Sequence, residues 1–253
     1  MSELGGAERL LVTLATYNES ENLAALTREI HLAEPRANIL VIDDNSPDGT
    51  GQIADDLALK DKRIQVLHRA GKLGLGTATL TAIRYAIEHG YDLLLNMDAD
   101  FSHHPRHIPA MLAGMSDHDV MIGSRYVAGG GTLNWPWSRR MMSRSVNMLV
   151  RVLLGIPARD TSGAFRCYRV SKLAEMNLET MLSKGYSFQE EMLGRCVNAG
   201  CRIGETPIIF EERRAGASKA NAREMVRSLT VLFRLGFRRL LHRGYPQRVD
   251  PGP

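Results

Sequence analysis

The sequence predicts an α/β fold, a single domain in which a mostly parallel sheet is flanked by helices. Over roughly the first hundred residues, short apolar runs alternate with stretches of helical spacing, which implies right-handed crossovers between parallel strands. The 253 residues suffice for one large domain, and no linker divides them. Polar clusters also follow each of the first four predicted strands, at the edge where an open parallel sheet binds its ligands.

The elements of the first half follow from local patterns. Short, mostly apolar runs predict strands at 9–16, 37–44, 63–69 and 91–97. Helical spacing, shown in the first case by Leu23, Leu26 and Ile30, predicts helices at 19–30, 50–59 and 74–90. Turn residues precede the second helix, and glycines open the third.

The second half of the chain is more mixed. We predict strands near 118–123 and 164–168, a glycine-rich loop at 128–131, a helix across roughly 138–154, and further helices before the segment 203–214. No internal repeat or low-complexity tract interrupts it.

Composition indicates an ordinary globular protein, with 44% hydrophobic and 24% charged residues. The cysteines Cys167, Cys196 and Cys201 match no disulfide framework and no zinc pattern, which suits reduced thiols in the cytoplasm. The N-terminal residues lack the features of a signal peptide, and no stretch approaches the roughly 18 apolar residues of a membrane span. We therefore expect a cytoplasmic protein, unless it lies on a membrane surface.

Positive charge is concentrated toward the C-terminus. The net charge is +4, and from Arg213 onward basic residues outnumber acidic ones strongly. Such a segment favours an anionic partner: phosphates, lipid headgroups or nucleic acid. A nucleic-acid-binding module would use these arginines alone and leave the four strand-end clusters unexplained, so we expect no nucleic-acid partner.

Two carboxylates, Asp98 and Asp100, follow the fourth predicted strand. Residues two apart at a strand end point to the same side, and a hard divalent cation relieves the repulsion between their charges. Mg²⁺ or Mn²⁺ suits this site, because Mg²⁺ takes one or two carboxylates and completes its shell with water and phosphates. A solvated loop whose acids cap the helix after Pro105 is the simpler alternative, and it does not account for the neighbouring clusters.

Three histidines close behind, His103, His104 and His107, raise a zinc site as another interpretation. The oxygen-rich surroundings favour Mg²⁺ or Mn²⁺ instead. The "DADFS" motif could also be the nucleophile loop of a haloacid-dehalogenase-like phosphatase, but that loop normally ends the first strand of its domain, and here it follows the fourth.

The cluster "DDNSPDGT" supplies a second pair of acids. We interpret the residues Asp48 to Thr50 as turn chemistry and Asp44 as a ligand contact to a base or ribose. The glycines of "KLGLGTA" are typical of a phosphate-cradling loop, but glycines alone are a weak signal, and close helix packing would also require them.

Nine segments together resemble one known family. They are "TYNE", "VIDDNSPDGT", "KLGLGTA", "MDADFSHHP", "GSRYVAGG", "RRMMSRSVN", "DTSGAFRCYR", "GYSFQEEML" and "ETPIIFEERRAGASK". In this order, across roughly residues 12–220, they look like dolichol-phosphate mannosyltransferases. These are polyprenyl-phosphate mannose synthases among the inverting family 2 glycosyltransferases, which have a GT-A fold.

The resemblance implies a role for each matching position. A nucleotide-sugar donor, GDP-mannose, would contact Ala15, Tyr17, Glu19, Ile42, Asp44, Asp98, Ala99, Asp100, Arg125, Arg213 and Lys219. The catalytic residues would be Asp98, Asp100, Arg125 and Arg139, with Asp98 and Asp100 also holding the metal. A polyprenyl or dolichyl phosphate acceptor would contact Arg125, Arg139 and Ser143, and the sugar pocket would include Gln189 and Glu190. The family usually has proline where this chain has Ala15, and an alanine, Ala164, stands within its "TSGFR" block.

An acceptor phosphate places few demands on catalysis. Its second pKa is near 6, so it is largely a dianion at neutral pH and needs positioning cations, not a general base. If the acceptor were a sugar hydroxyl, a base would be required, and Glu190 or Glu191 would be the candidates. The sequence leaves open UDP-glucose or another nucleotide-sugar as the donor.

The C-terminal segment 225–244 suggests how the chain reaches a lipid. Its apolar positions follow helical spacing beside a basic stripe, as in helices that lie in an anionic membrane interface. We therefore divide the chain into a catalytic domain, 1–220, and a basic amphipathic helix and tail, 221–253. A helix packed on the core with its arginines in water is the alternative. Some relatives in the family that the chain resembles use a membrane partner subunit, which is therefore a further candidate partner. Altogether we expect a peripheral protein on the cytoplasmic face of a membrane.

Overall fold

The computed structural model describes residues 8–183, 185, 187–211, 230–237 and 241. Its centre is a seven-stranded sheet with the strand order β3-β2-β1-β4-β7-β5-β8, and β6 and β9 form a separate two-stranded parallel sheet. The strands are β1 (Leu10–Thr16), β2 (Asn38–Asp43), β3 (Ile64–His68), β4 (Leu93–Asp98), β5 (Val120–Ser124), β6 (Gly131–Thr132), β7 (Arg166–Arg169), β8 (Ile203–Pro207) and β9 (Ile209–Phe210).

Seven α-helices connect these strands within the described residues. They are α1 (Leu23–Ala33), α2 (Thr50–Lys60), α3 (Leu75–Glu88), α4 (Ile108–Gly114), α5 (Trp137–Leu154), α6 (Val170–Ala174) and α7 (Phe188–Asn198). The predicted alternation of the first half is therefore confirmed, with boundaries that shift by a few residues. The first helix begins at Leu23, because the segment before it forms a turn in which the Glu19 carbonyl accepts the N–H groups of Asn22 and Leu23.

Both faces of the sheet are buried. Along β1, Leu11 contributes to the hydrophobic cluster on one face, while Leu10, Val12 and Leu14 contribute to the cluster on the other. Such two-sided burial explains why the strands read as continuous apolar runs without alternation.

One strand departs from the parallel pattern. β7 runs antiparallel to its two neighbours, β4 and β5, whereas the remaining neighbours in the sheet pair in parallel. Because β7 runs the other way, its first residue lies near the edge where β4 and β5 end. The loop that leads into β7 therefore reaches the edge at which the polar clusters gather.

The predicted boundary at residue 220 lies outside the described residues and stays a prediction. Residues 230–237 are helical. Leu232 and Leu235 are buried in the core cluster, and the Cα of Gly236 passes close to Leu153 of α5, while Phe233 is exposed. This stretch therefore packs on the domain and also presents apolar surface to the solvent.

The close packing at the end of β5 can be tested at Gly123. A Cβ there would lie 2.7 Å from Cδ1 of Phe165 and 3.1 Å from Cγ2 of Ile208, and both side chains are buried. Gly123→Ala should lower the free energy of unfolding by about 1–3 kcal/mol, as overpacked cores do. Urea titration measures the change. Gly71→Ala is the control, because no atom of the described residues lies within 4 Å of its Cβ position, and a loss of similar size there would contradict the packing argument.

Candidate active site

The ends of β1 and β2 are joined by side-chain hydrogen bonds. Asp43 accepts hydrogen bonds from the Thr16 hydroxyl at 3.0 Å and from the Ser46 backbone N–H at 3.1 Å. The Asn18 N–H donates to Ser46 Oγ at 3.1 Å, and Asn18 adopts a φ of 63°. The loops after the two strands are therefore held together by hydrogen bonds.

Asp48 and Thr50 add further hydrogen bonds between these two loops. Asp48 accepts hydrogen bonds from the Thr50 hydroxyl at 2.6 Å and from the Ser20 N–H at 3.1 Å. Partial burial acts to raise the pKa of Asp48, but the hydrogen bonds from Thr50 and Ser20 prevail and lower it to about 2. The structure thus gives Asp48 and Thr50 the turn-forming role expected from the sequence.

Asp44 fastens the glycine-rich loop to β2. Its carboxylate forms an ion pair with Arg69 and accepts the N–H groups of Leu73 and Gly74 at 3.1 and 3.3 Å. Arg69 also donates to Thr77 Oγ1 at 2.7 Å. The loop is therefore shaped by Asp44, and a contact from Asp44 to a nucleotide stays a prediction.

Three expected donor contacts lie in register across the sheet. In the parallel pairing, Ala15 of β1 stands opposite Ile42 of β2 on one side and opposite Asp98 of β4 on the other. Beyond them, Tyr17 is partly exposed and carries the Lys72 ammonium 4.0 Å from its ring centroid. The positions expected to meet the base and the diphosphate thus face one edge.

Glu19 is the remaining expected base or ribose contact. It is half-buried, and its Oε2 accepts a hydrogen bond from the Asn22 amide at 2.8 Å. It also has a further interaction within the protein. Its position beside Tyr17 agrees with the expected donor edge.

Asp98 and Asp100 lie on a sharply turned segment after β4. Asp98 is the last residue of the strand, with 27% of its side chain exposed, whereas Asp100 and Ala99 are buried. Phe101 has a φ of 62°, an uncommon conformation for a bulky residue, and the Ser102 N–H donates to Asp100 Oδ1 at 3.0 Å. Turn and strand end together fix both carboxylates at the edge of the sheet.

His103 supports this turn from below. Its Nδ1 accepts the Asp98 backbone N–H at 3.2 Å, so its proton is on Nε2. The ring stacks on Phe165 and meets Phe210 edge-on, with centroids 5.2 and 5.4 Å away. Burial lowers the pKa of His103 against the opposing charges of Asp98 and Asp100, which favours the neutral ring.

The oxygen-rich turn fits a hard divalent cation better than it fits zinc. Among the residues that the structure describes, no three or more His, Cys, Asp or Glu side chains are grouped to hold a metal ion. His104 Nδ1 instead accepts the Arg106 N–H, and burial with the nearby charge of Arg106 lowers the pKa of His107 to about 4. Two carboxylates match Mg²⁺ or Mn²⁺, whose remaining ligands would be water and diphosphate oxygens.

Arg125 is held in a buried ion pair with Asp160. Its Nε and Nη2 each donate to one carboxylate oxygen at 2.7 Å, and its backbone N–H donates at 3.0 Å. Burial opposes charge on both groups, but their pairing keeps the pKa of Asp160 below its ordinary value and raises that of Arg125. Nη2 also donates to Ser162 Oγ at 2.9 Å. Arg125 thus has a fixed orientation at the end of β5.

A hydrogen-bond network connects this ion pair to α5. Asn147 donates to Ser162 Oγ at 3.3 Å and accepts the Thr161 N–H at 2.7 Å. One turn earlier, Ser143 Oγ lies 2.6 Å from the hydroxyl of Tyr126, the residue after Arg125. Ser143, an expected acceptor contact, is therefore linked to the same polar network as Arg125.

Arg139 lies one turn before Ser143 on α5. Its guanidinium carbon lies 4.0 Å from the ring centroid of Trp135, and the guanidinium carbon of Arg125 lies 5.6 Å from the same centroid. The structure therefore brings Arg125 and Arg139 together around one aromatic residue that the sequence did not single out.

Gln189 and Glu190 begin α7 and face the same interior. Within the described part of the chain, neither Gln189 Nε2 nor Glu190 Oε2 has a hydrogen-bond partner, although both atoms are buried. Burial raises the pKa of Glu190 to about 7. The positive charge of Arg166 opposes this shift, and the negative charge of Asp160 reinforces it. Unpaired buried polar atoms can pair with the hydroxyl groups of a ligand, and the expected contact of both residues with a sugar stays a prediction.

Glu191, the neighbouring acid, has a structural role. It is buried, forms an ion pair with Arg195 at 2.8 Å, and accepts the N–H groups of Leu182 and Ser183. Its oxygens are therefore occupied, which removes Glu191 as a general-base candidate. Arg213 and Lys219, expected over the donor phosphates, lie outside the described residues.

Sequence comparison gives this geometry a family. The model for "Glycosyl transferase family 2" matches residues 12–176. The chain belongs to this glycosyltransferase family. It is 42% identical over 238 residues to a polyprenol monophosphomannose synthase of Mycolicibacterium smegmatis, covering 93% of this chain and 90% of that protein. It is 44% identical over 211 residues to an undecaprenyl-phosphate mannosyltransferase of Micrococcus luteus, covering 83% and 87%.

Solved structures confirm the GT-A fold of this family 2 glycosyltransferase. Mannosyl-3-phosphoglycerate synthase from Rubrobacter xylanophilus superposes with a TM-score of 0.64 at 18% identity, covering 97% of this chain and 78% of that one. Glucosyl-3-phosphoglycerate synthase from Mycobacterium tuberculosis, crystallised with Mn²⁺, UDP and phosphoglyceric acid, gives 0.61 at 16% identity, covering 95% and 80%. The resemblance to polyprenyl-phosphate mannose synthases is confirmed by the closer sequence relatives.

Several residues that shape the site escaped the sequence analysis. Asp160 and Asn147 lie inside quoted segments, but nothing local shows that they meet Arg125 and Ser162. Arg69 and Trp135 stand outside every expected contact. A basic residue just before a glycine-rich loop, and an aromatic residue just before a pair of arginines, were the available signals.

Titration of Glu190 makes a testable difference to stability. The pKa of Glu190 is raised in the folded protein. The protonated carboxyl therefore contributes its full stabilisation of the fold below pH 4.5, the ordinary pKa, and this contribution is lost as the pH rises through about 7. Relative to Glu190→Gln, the wild-type free energy of unfolding should fall by up to about 3 kcal/mol between about pH 5 and about pH 8. Urea titrations across this range measure it, and parallel pH profiles would show that the carboxyl is ionised throughout.

Proposed function

We propose that this glycosyltransferase moves mannose from GDP-mannose to the phosphate of a polyprenyl lipid, with inversion at the anomeric carbon. The observation that carries the proposal is the double character of α5. One face of the helix places Arg139 and Ser143 beside Arg125, and the opposite face is apolar and exposed. A lipid phosphate has a charged headgroup, which suits the face with Arg139, and an apolar chain, which suits the exposed apolar face. The names of the two sequence relatives agree with such an acceptor.

The donor half of the site would lie along the ends of β1, β2 and β4. Tyr17 and Glu19 would meet the base and ribose, next to Asp44 and Ile42. Asp98 and Asp100 would hold Mg²⁺ or Mn²⁺ against the diphosphate, and such an ion stabilises the charge of the departing nucleoside diphosphate. Arg213 and Lys219 would add positive charge to the same group.

The acceptor half supplies cations in place of a base. A phosphate monoester is largely dianionic at neutral pH and is already a competent nucleophile. Arg125 and Arg139 would bind its oxygens and aim one of them at the sugar, since guanidinium groups bind phosphate in a directional way. Gln189 and Glu190 would use their unpaired atoms to hold the mannose hydroxyl groups.

The α5 apolar surface, formed by Met141, Met142, Met148, Leu149 and Val152, would lie on the membrane. Met142 and Met148 are each 58% exposed and Val152 is 66% exposed. The helix contains arginines but no acidic residue. Exposed apolar side chains flanked by arginines are typical of helices that bind anionic lipid interfaces.

Residues 230–237 extend this exposed apolar character. Phe233 and Phe237 are exposed on a stretch that packs against α5. Within the described part of the chain, every helix falls short of the length or the apolarity needed to span a bilayer. The exposed apolar side chains of α5 and of residues 230–237 support peripheral attachment to a membrane surface, and a membrane partner subunit would be an additional anchor.

The reaction is tested with radiolabelled GDP-mannose, UDP-glucose or UDP-N-acetylglucosamine, a polyprenyl phosphate, and Mg²⁺ or Mn²⁺. We expect an organic-soluble, acid-labile product from GDP-mannose, and none from the other two donors. A lipid product from UDP-glucose alone would replace mannose by glucose in the proposal. Labelled product that stays in the aqueous phase with every donor would refute the lipid acceptor.

Asp100→Asn tests the metal-binding carboxylates within the same assay. The change keeps the size of the side chain and removes its charge. We expect turnover to fall by roughly 100-fold or more, because a bound metal ion supplies several kcal/mol of charge stabilisation. Thermal unfolding of the variant controls for misfolding. Wild-type turnover in a folded Asp100→Asn protein would show that this carboxylate has no part in catalysis.

The membrane surface is tested by sedimentation with vesicles of phosphatidylglycerol and phosphatidylcholine. The double variant Met148→Glu, Val152→Glu should weaken partitioning by roughly tenfold or more, because each side chain loses its apolar transfer energy. The double variant Leu32→Glu, Leu59→Glu is the matched control, since it adds the same charge at exposed apolar residues of α1 and α2. Equal binding of all three proteins, or an equal loss in the control, would contradict a membrane role for α5.

A further inference from the structure

Trp135 lies at the centre of the acceptor half of the site. It is 7% exposed and belongs to the segment between β6 and α5. Its ring meets Phe210 edge-on, with centroids 5.5 Å apart and planes at 71°. The guanidinium carbons of Arg139 and Arg125 lie 4.0 and 5.6 Å from the same ring centroid. One buried indole is therefore shared by both arginines expected to bind the acceptor phosphate.

The two guanidinium groups repel each other, and the protein offsets this repulsion differently at each one. Arg125 is neutralised by Asp160 in a buried bidentate pair. Arg139 lies over the face of the indole, where the ring quadrupole attracts a cation. An arginine on a helix surface otherwise has many rotamers, and fixing one costs conformational entropy. Stacking on Trp135 restricts Arg139 before any ligand arrives.

The indole N–H gives a second reason to assign Trp135 to the site. Trp135 Nε1 is buried and has no hydrogen-bond acceptor among the residues that the structure describes. A buried donor without an acceptor costs free energy, and buried tryptophan N–H groups usually find a partner. An anion held between Arg125 and Arg139 would bring acceptor oxygens close to this edge of the cluster.

We propose that Trp135 is the positioning residue of the acceptor-phosphate site. It holds the Arg139 guanidinium in the orientation that, together with Arg125, receives a phosphate monoester. This inference rests on the proposed function for the identity of the acceptor. It adds a residue whose aromatic face sets the affinity for the acceptor, with no part in donor binding.

The first test compares Trp135→Leu with Trp135→Phe in the lipid-phosphate assay. Trp135→Leu should raise the KM for polyprenyl phosphate about tenfold, the loss expected for a desolvated cation–π contact. Trp135→Phe should give a smaller increase, because phenylalanine keeps a weaker aromatic face. The KM for GDP-mannose should stay within about threefold of wild type, because donor contacts are not involved. A uniform fall in kcat without a change in acceptor KM would overturn the inference.

A double-mutant cycle separates positioning from general packing. If Trp135 acts through Arg139, Trp135→Leu should have no further effect on acceptor KM in an Arg139→Gln protein. Independent, multiplicative effects of the two changes would overturn the proposal. Thermal unfolding is measured for each protein, and Trp135→Phe replaces Trp135→Leu in the cycle if the leucine variant does not fold.

Binding without transfer distinguishes this inference from the proposed function. Calorimetry with a short, water-soluble prenyl phosphate and no donor should show binding to wild type and about tenfold weaker binding to the Trp135 variant. Wild-type binding that the variant retains in full would refute the role of Trp135 while leaving mannosyl transfer intact. Loss of binding in the variant, with no transfer by wild type from any donor, would refute the proposed reaction and support the positioning role.

Discussion

The buried ion pair between Arg125 and Asp160 is the interaction on which the proposed acceptor half of this glycosyltransferase depends. Taking two charges out of water is costly, and their bidentate contact offsets that cost only while both partners are present. Loss of either partner would leave an isolated charge in the core, which costs about 3–5 kcal/mol in comparable proteins. The pair also ties the end of β5 to the loop before β7, and Asn147 extends the connection to α5. Three segments distant in sequence are thereby held in one arrangement.

The direction of β7 explains why Asp160 reaches this position. In a wholly parallel sheet, the segment before a strand lies at the edge opposite to the ligand site. β7 runs antiparallel to β4 and β5, so its leading loop meets the ends of those strands. The proposed donor half is built differently, from loops that continue parallel strands and are joined by side-chain hydrogen bonds and the Asp44–Arg69 pair. The site thus combines loops that follow parallel strands with a loop that precedes an antiparallel strand, and the turn that carries Asp98 and Asp100 lies between them.

Local patterns sufficed for most elements of the fold, whereas most of the expected site positions followed from the family resemblance. Apolar runs and helical spacing depend on neighbouring residues, so the strands and helices of the first half could be predicted within a few residues. The direction of β7 could not, since four residues carry no signal of their partners. The same limit applies to Asp160, whose role arises from its contact with Arg125, 35 residues away in the sequence. It also applies to Trp135, whose ring is shared by Arg125 and Arg139. Glu191 shows the reverse case, because its acidity suggested catalysis and its contacts show a structural ion pair.

The geometry of α5 limits how a lipid acceptor could approach. Ser143 and Asn147, four residues apart, lie on the face of the helix that joins the core, as do the buried Val150 and Leu154. Met141, Met148 and Val152 lie on the opposite face and are exposed. A helix is about 10 Å across, so a phosphate beside Ser143 would sit within one helix diameter of a membrane in contact with the apolar surface. On the proposed function, the polyprenyl chain therefore need not leave the bilayer, because its headgroup alone rises past the arginines of α5.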